Sequence, residues 1–357
     1  MADRDRSEQV LDAAHEVASG VLAPAAAEVD TATSVPRSHL AALAEAGLFG
    51  LAGPDGVDPE TTRRVARTLA AACGVTSFVW AQHAGTTAHL VATPNDGLRD
   101  RWLARCASGE VLAGTAFAHL RRPGPPSLRA ERTDRGWYLD GFAPWATSWG
   151  LAEVYSVAAA TADDEIAWFA LEGREAPGLR ASPPLDLSVM GASLTVELTF
   201  DGFEVGDGAV LSVRPFDEWR PPDRRKAARV NPGVLGVVDA SLDLLASRED
   251  VEAATTLAAL RDALEAWEEH DAHLVVSNTA PEPHAEHRAV ALDLADRATT
   301  AALAAVGGNG VLRSHPAQRL RREQAFYVVQ AQSADGRAAT LRRTRRPAPA
   351  ATFADVD

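Results

Sequence analysis

Leu303-Ala-Ala-Val306-Gly307-Gly308-Asn309-Gly310-Val-Leu-Arg313-Ser-His315-Pro316, followed by Ala317-Gln-Arg319-Leu320-Arg-Arg322-Glu323-Gln-Ala-Phe326-Tyr327-Val-Val-Gln330-Ala331-Gln332-Ser333, is the stretch on which the fold turns. An apolar helix stops at a run of glycines, Pro316 reopens the chain, and a second, aromatic-bearing helix follows. Without a Cβ, glycine lets the backbone come close to a ligand, and amides exposed beside helix ends suit phosphate. The same residues also make a glycine-rich C-cap between two bundle helices, and local chemistry alone leaves both readings open.

Upstream of this turn, no glycine interrupts the chain between Val237 and Val306. Such a tract suits long bundle helices, with the break expected from Asn278 to Pro283. Farther back, segments near 112–119, 128–133, 136–142, 152–160, 165–171, 178–181 and 194–201 alternate in polarity and are separated by turn residues. That pattern predicts a small antiparallel barrel or sandwich. The first hundred residues carry helical periodicity instead. Helices are expected at 7–20, ending at Gly20; from Ser34-Val-Pro36 to Gly50; from Asp58-Pro59 to Ala72; over 75–92; and from Asn95 to a cap at Gly109. The segments thus group as an N-terminal all-α domain (1–110), a β-rich middle (111–215), a helical bundle (230–344) and a flexible basic tail (345–357).

Bulk composition narrows the function. The 357 residues are 46% hydrophobic and 24% charged, with a formal net charge of -14, which suits a globular protein and argues against nucleic acid as a partner. Cys73 and Cys106 have neither disulfide nor metal spacing, so both are expected in the core and no metal site is expected. Low cysteine use, with no apolar signal core and no membrane-length apolar run, points to a cytoplasmic protein.

The Gly307-Gly308-Asn309-Gly310 turn, then Pro316, then Arg322-Glu323 on an aromatic-rich helix, resembles the C-terminal signature of the acyl-CoA dehydrogenase flavoproteins. The resemblance implies an N-terminal helical domain, a middle antiparallel β-barrel and a C-terminal four-helix bundle, in an α+β fold. It also implies FAD, with Gly307 and Gly308 packed against a flavin shared with another subunit of a homodimer or homotetramer. Trp145-Ala-Thr147-Ser148 resembles the family's Trp-x-Thr-Asn, which implies that Trp145 and Thr147 lie against the flavin ring.

Other motifs depart from the family pattern. Thr-Glu-Pro-Gly-x-Gly-Ser-Asp corresponds here to Arg121-Arg122-Pro123-Gly124-Pro125-Pro126-Ser127-Leu128. By resemblance Arg121 would face the cofactor, while Ser127 and Arg122 would face an acyl-CoA or carrier-bound acyl substrate; solvated loop arginines are the other reading. The Arg-x-x-Phe-Gly that reaches the flavin pyrophosphate is missing. The family's catalytic Glu, which precedes Gly-Thr, is matched to Ala331, and the alternative site at the start of the first bundle helix holds Val230 and Asn231. No side chain there titrates, so the catalytic base is unknown, with His83 and His119 as candidates against a core role for each. Three readings stay open: an acyl-CoA dehydrogenase-type enzyme with a moved base, a base-less partner subunit of a heteromeric dehydrogenase, and a flavin monooxygenase of the same fold.

Overall fold

A computed structural model describes residues 2–53, 56–277 and 280–345. Six helices come first: α1 (Ala2–Val17), α2 (Ala23–Thr31), α3 (Arg37–Glu45), α4 (Pro59–Ala72), α5 (Gly74–Ala92) and α6 (Asp96–Ser108). The expected stop at Gly20 is overturned. The chain passes through a π turn, Ala18–Leu22, and goes on as α2. Widening the turn absorbs a residue and keeps Val17, Leu22, Ala26 and Val29 buried on one continuing face. The expected stop at Gly50 is overturned too, since α3 ends at Glu45 and the chain turns at Gly47, φ +70. Three further boundaries follow local chemistry. The Asp58 carboxylate accepts from the Glu60 and Thr61 amides ahead of Pro59, Asn95 caps α6, and Gly109 ends it at φ +77.

The middle domain holds β1 (Ala113–Ala116), β2 (Leu128–Thr133), β3 (Gly136–Ala146), β4 (Val154–Ala160), β5 (Glu165–Glu172), β6 (Leu179–Ala181), β7 (Val196–Val205) and β8 (Val210–Pro215). Sheet order is β6-β7-β3-β2-β4-β5-β8, with β1 beside β4. Most neighbours are antiparallel, as expected; β1–β4 and the single β2–β4 bridge are parallel. Every residue of β4 is buried, because β1, β2 and β5 surround it and α5 covers it. The Thr86 hydroxyl on α5 donates to the Gly114 carbonyl (2.5 Å) and meets Ser156 Oγ at 2.9 Å, fixing helix to sheet.

After β8 comes α7 (Phe216–Ala228), then α8 (Pro232–Ala246), α9 (Val251–Ser277), α10 (Pro281–Val306), α11 (Pro316–Val329) and α12 (Ala334–Thr344). Residues 278 and 279, within the expected break, and 346–357 of the expected tail lie outside the described residues. α10 packs against α7, α8, α9, α11 and α12, so the bundle is built around it. Arg67 of α4 ties the N-terminal domain to this bundle by a two-pronged pair with Asp239 of α8 (2.5 and 2.7 Å) and a contact to Glu268 of α9 (2.5 Å). Among the described residues no helix is long and apolar enough to cross a membrane.

Candidate active site

The last turn of β3 carries the first group of expected residues. The β3–β7 register shifts between Ala143 and Ala146, and Trp145 stands in that bulge at φ +63. A bulge turns a side chain out of the ladder, and Trp145 is 46% exposed. Behind it the chain is strapped to residues 190–195. The Ser148 amide donates to Ser193 O (2.8 Å), the Trp149 amide to Leu194 O (3.1 Å), and the Tyr155 hydroxyl to Thr147 O (2.9 Å). Ser148, Met190 and Leu194 also have positive φ. Non-glycine residues in that region store strain, and such strain gathers at binding sites. Thr147 is buried, and its hydroxyl meets Thr195 Oγ1 at 3.0 Å; the Ser148 hydroxyl is buried without a hydrogen-bond partner.

The glycine turn is a 3-10 segment, Gly307–Val311, packed against α10 and α11. Gly307 has φ +71, and a Cβ at Gly307 or Gly308 would meet no atom within 4 Å. These glycines therefore face open space on the bundle, whereas Trp145 lies in β3 and Thr147 in the turn directly after it. The loop residues are engaged locally. Arg121 makes a two-pronged pair with Asp223 of α7 (2.9 and 2.6 Å) and lies over the Phe117 ring. Ser127 Oγ donates to Phe142 O at 2.9 Å, and Arg122 is exposed.

The two base candidates sit in the core. His83 accepts from the Ala113 amide at 3.0 Å and lies edge-on to Phe49; His119 is 2% exposed. Burial pushes both imidazoles down to about 4, so they are neutral at neutral pH. The nearby acids are committed: Asp239 to Arg67, and Glu323 to Arg319 within α11 at 2.8 Å. Burial raises the Glu323 carboxyl above its ordinary range, although Arg319 opposes the shift.

At the α11–α12 turn the structure adds what the sequence reading missed. Ala331 takes φ +48. Beside it, Gln330 Oε1 accepts from Asn231 Nδ2 at 2.8 Å. The orientation of Asn231 is set by its other task, since its Oδ1 caps α8 by accepting from the Gly233 amide at 2.8 Å. Arg288 of α10, 2% exposed, donates to Gln330 O (2.7 Å), Ala331 O (3.4 Å), Tyr327 O (3.4 Å) and Ala227 O (2.8 Å). The available signal for Arg288 was a lone cation on the apolar, alanine-rich face of α10.

Residues 4–110 match the family described as acyl-CoA dehydrogenase, N-terminal domain. A probable acyl-CoA dehydrogenase, FadE25, of Mycobacterium tuberculosis is 25% identical over 91% of this chain and 91% of its own length. The mitochondrial 2-methylacyl-CoA dehydrogenase of Solanum tuberosum is 24% identical over 95% and 90%. In shape the chain is similar to butyryl-CoA dehydrogenase from Megasphaera elsdenii, with a TM-score of 0.78, 20% identity and coverage of 95% and 98%. A glutaryl-CoA dehydrogenase from Mycobacterium smegmatis in complex with FADH2 gives 0.80 at 17% identity, covering 96% of this chain and 95% of that one.

Proposed function

The chain belongs to the acyl-CoA dehydrogenase superfamily, and on that premise we propose that it is an FAD-dependent oxidoreductase that holds an acyl thioester where amides replace the proton-abstracting carboxylate. The fit to a flavin rests on three features of this chain. Trp145 presents an exposed aromatic face from a strained bulge, the buried Ser148 hydroxyl lacks a partner, and Gly307 and Gly308 leave open space for a close backbone approach. Bound there, the flavin would supply a two-electron acceptor. Trp145 would shield the ring, and the straps from Ser193 and Leu194 would keep the Thr147–Trp149 backbone from reorganising.

The Asn231–Gln330 hydrogen bond carries the reading of the base. The family's Glu precedes Gly-Thr, and glycine is favoured where φ is positive. Here the positive φ falls on Ala331. On that ground we take Ala331 as the counterpart of the glycine and Gln330, rather than Ala331, as that of the Glu. A second argument supports the same register. One base can be supplied from either of two segments only if both reach the same substrate atom, and the side chains that meet from these segments are Asn231 and Gln330. Carboxamides donate and accept hydrogen bonds but do not take a proton near neutral pH. The pair can orient a thioester carbonyl, and it leaves the α-proton in place.

General-base catalysis is worth about 10²–10⁴-fold in rate, so the unmodified chain should bleach its flavin with simple acyl-CoAs slowly under anaerobic conditions. Gln330→Glu should speed that bleaching, and Ala331→Glu should do so less. A gain from Ala331→Glu alone would overturn the register. Rapid bleaching by the unmodified chain would overturn the amide reading. The amide pair Asn231–Gln330 also favours a second reading, the base-less subunit of a heteromeric dehydrogenase. Co-purification with a carboxylate-bearing homologue, and activity of the mixture alone, would select it.

A further inference from the structure

Cysteine spacing offers no metal site, but the histidines are unevenly spread. Four of the ten fall between positions 270 and 287, as His270-x-x-His273 near the end of α9 and His284-x-x-His287 at the start of α10. An i, i+3 spacing puts both members of a pair on one helix face, and α9 packs against α10. His287 is the fixed point. It is 7% exposed, and its ring lies flat on Trp267, with centroids 4.2 Å apart and planes 6° from parallel. Trp267 Nε1 also donates to His287 O at 3.1 Å, so ring and main chain are clamped together. In that position His287 Nε2 is buried without a hydrogen bond, which is rare for a buried polar atom. Asp271 Oδ1 stands 3.5 Å from it. An N–H···O bond falls at about 2.7–3.2 Å. Two ligands of one tetrahedral ion, with bonds of about 2.0–2.1 Å, stand roughly 3.3 Å apart. The separation therefore suits a shared ion better than a hydrogen bond. The ring of His270, which is exposed, lies 4.9 Å from that of His287. Arg63 of α4 feels the charge of Asp271 but pairs with Glu60 at 3.8 Å and donates to Val230 O at 3.3 Å, which leaves the carboxylate available.

We propose that His287, Asp271 and His270 form a binding site for a zinc-class dication that ties the end of α9 to the start of α10. Two imidazoles and one carboxylate are a ligand set for zinc and its neighbours, while magnesium and calcium prefer oxygen alone. Among the described residues no three such side chains are already arranged around one point. His287 and Asp271 stand at ligand separation, and the exposed His270 completes the set by a change of rotamer, with water in the fourth position. The buried, stacked His287 supplies the preorganised half of the site and the surface residue the adjustable half. The ion would also act on its surroundings. Arg288, the next residue of α10, donates to the carbonyls of Ala227, Tyr327, Gln330 and Ala331. A metal bridge at His287 therefore stiffens the frame that holds the Asn231–Gln330 pair.

Equilibrium dialysis of the untagged, chelator-treated full chain against Zn²⁺, and separately against Mg²⁺, tests this. One Zn²⁺ per chain should bind, and Mg²⁺ should not compete. Zn²⁺ should also raise the thermal unfolding midpoint, because a ligand that binds only the folded chain stabilises it. Added Co²⁺ should give the intense visible bands of a tetrahedral ion, bands that excess Zn²⁺ removes. His270→Ala and Asp271→Asn should each weaken Zn²⁺ binding by about tenfold or more and cancel the shift in midpoint. Both residues are accessible to solvent, so these variants keep the fold where His287→Gln, inside the stack, would strain it. His15→Ala removes an exposed histidine of α1 and should change nothing. No Zn²⁺ retained, or binding that either His270→Ala or Asp271→Asn leaves intact, would overturn the site.

Discussion

At the scale of single residues, Arg288 is an unusual guanidinium, buried with no ion pair among the described residues and satisfied by carbonyls. The carbonyls of Ala227, Tyr327 and Gln330 stand at the ends of α7 and α11, where helix dipoles leave partial negative charge. Burial, with the charge of Arg121 in second place, brings the group down to about 10, so it stays protonated through the neutral range. Arg288→Met should cost about 3 kcal/mol in urea unfolding, because several charge-assisted hydrogen bonds go together. Arg288→Lys should recover only part of that loss, since one ammonium cannot span the same set of acceptors. A second residue-scale expectation concerns pH. His83 and His119 are held near 4 by burial, while unfolded histidine titrates near about 6.5. Above about 6.5 neither state is protonated; between there and about 4 only the unfolded chain binds protons, so stability falls as pH drops. The limit is about 1.4 kcal/mol per pH unit for each histidine. Urea midpoints between pH 7 and 5 should fall, and less steeply in His119→Gln; an equal slope in the variant would show that His119 is protonated in the fold.

At the scale of elements, the α4–α8 crossing depends on Gly236. A Cβ there would lie 2.6 Å from Arg67 O and 2.8 Å from the Ala71 amide, both main-chain atoms that cannot swing aside. Gly236→Ala should therefore destabilise the chain by about 2 kcal/mol, read as a lower unfolding midpoint; an unchanged midpoint would mean that the helices separate without cost. Elements with caps were legible beforehand. Asp58-Pro59, Asn95 and Gly109 bound α4 and α6 where turn chemistry put them. Elements whose signals conflict were not. Pro221 and Pro222 inside α7 look like breakers, and only the tertiary setting between β8 and α8 holds that helix. β8 (Val210–Pro215) was hidden because only Leu211 of its residues is buried, so the run carries no alternating apolar pattern. For the candidate site, the sequence singled out the segments around Asn231 and Ala331, but the pairing of Asn231 with Gln330 spans ninety-nine residues and has no local signature.

At the scale of the whole molecule, the two segments proposed to face the flavin lie apart, one at the sheet and one on the bundle. Trp145 projects from the sheet, and the open turn at Gly307 and Gly308 lies on the bundle. Just past that turn Val311 and Leu312 are 74% and 53% exposed. Apolar side chains this exposed next to a bare backbone surface suit a contact between subunits, and closed symmetric assemblies are the usual way to complete shared sites. The protein is therefore expected to be at least a dimer, with each glycine turn closing the flavin site of another subunit. Light scattering on the flavin-loaded chain should report a dimer or larger assembly at micromolar concentration. Leu312→Glu places a charge in the contact without touching the sheet, and it should release monomers and FAD together. Gly308→Val should lose FAD while the assembly persists, because a branched side chain would fill the space open to the cofactor. Monomers of Leu312→Glu that keep one FAD per chain would show that each subunit builds its own flavin site, and the shared arrangement would fall.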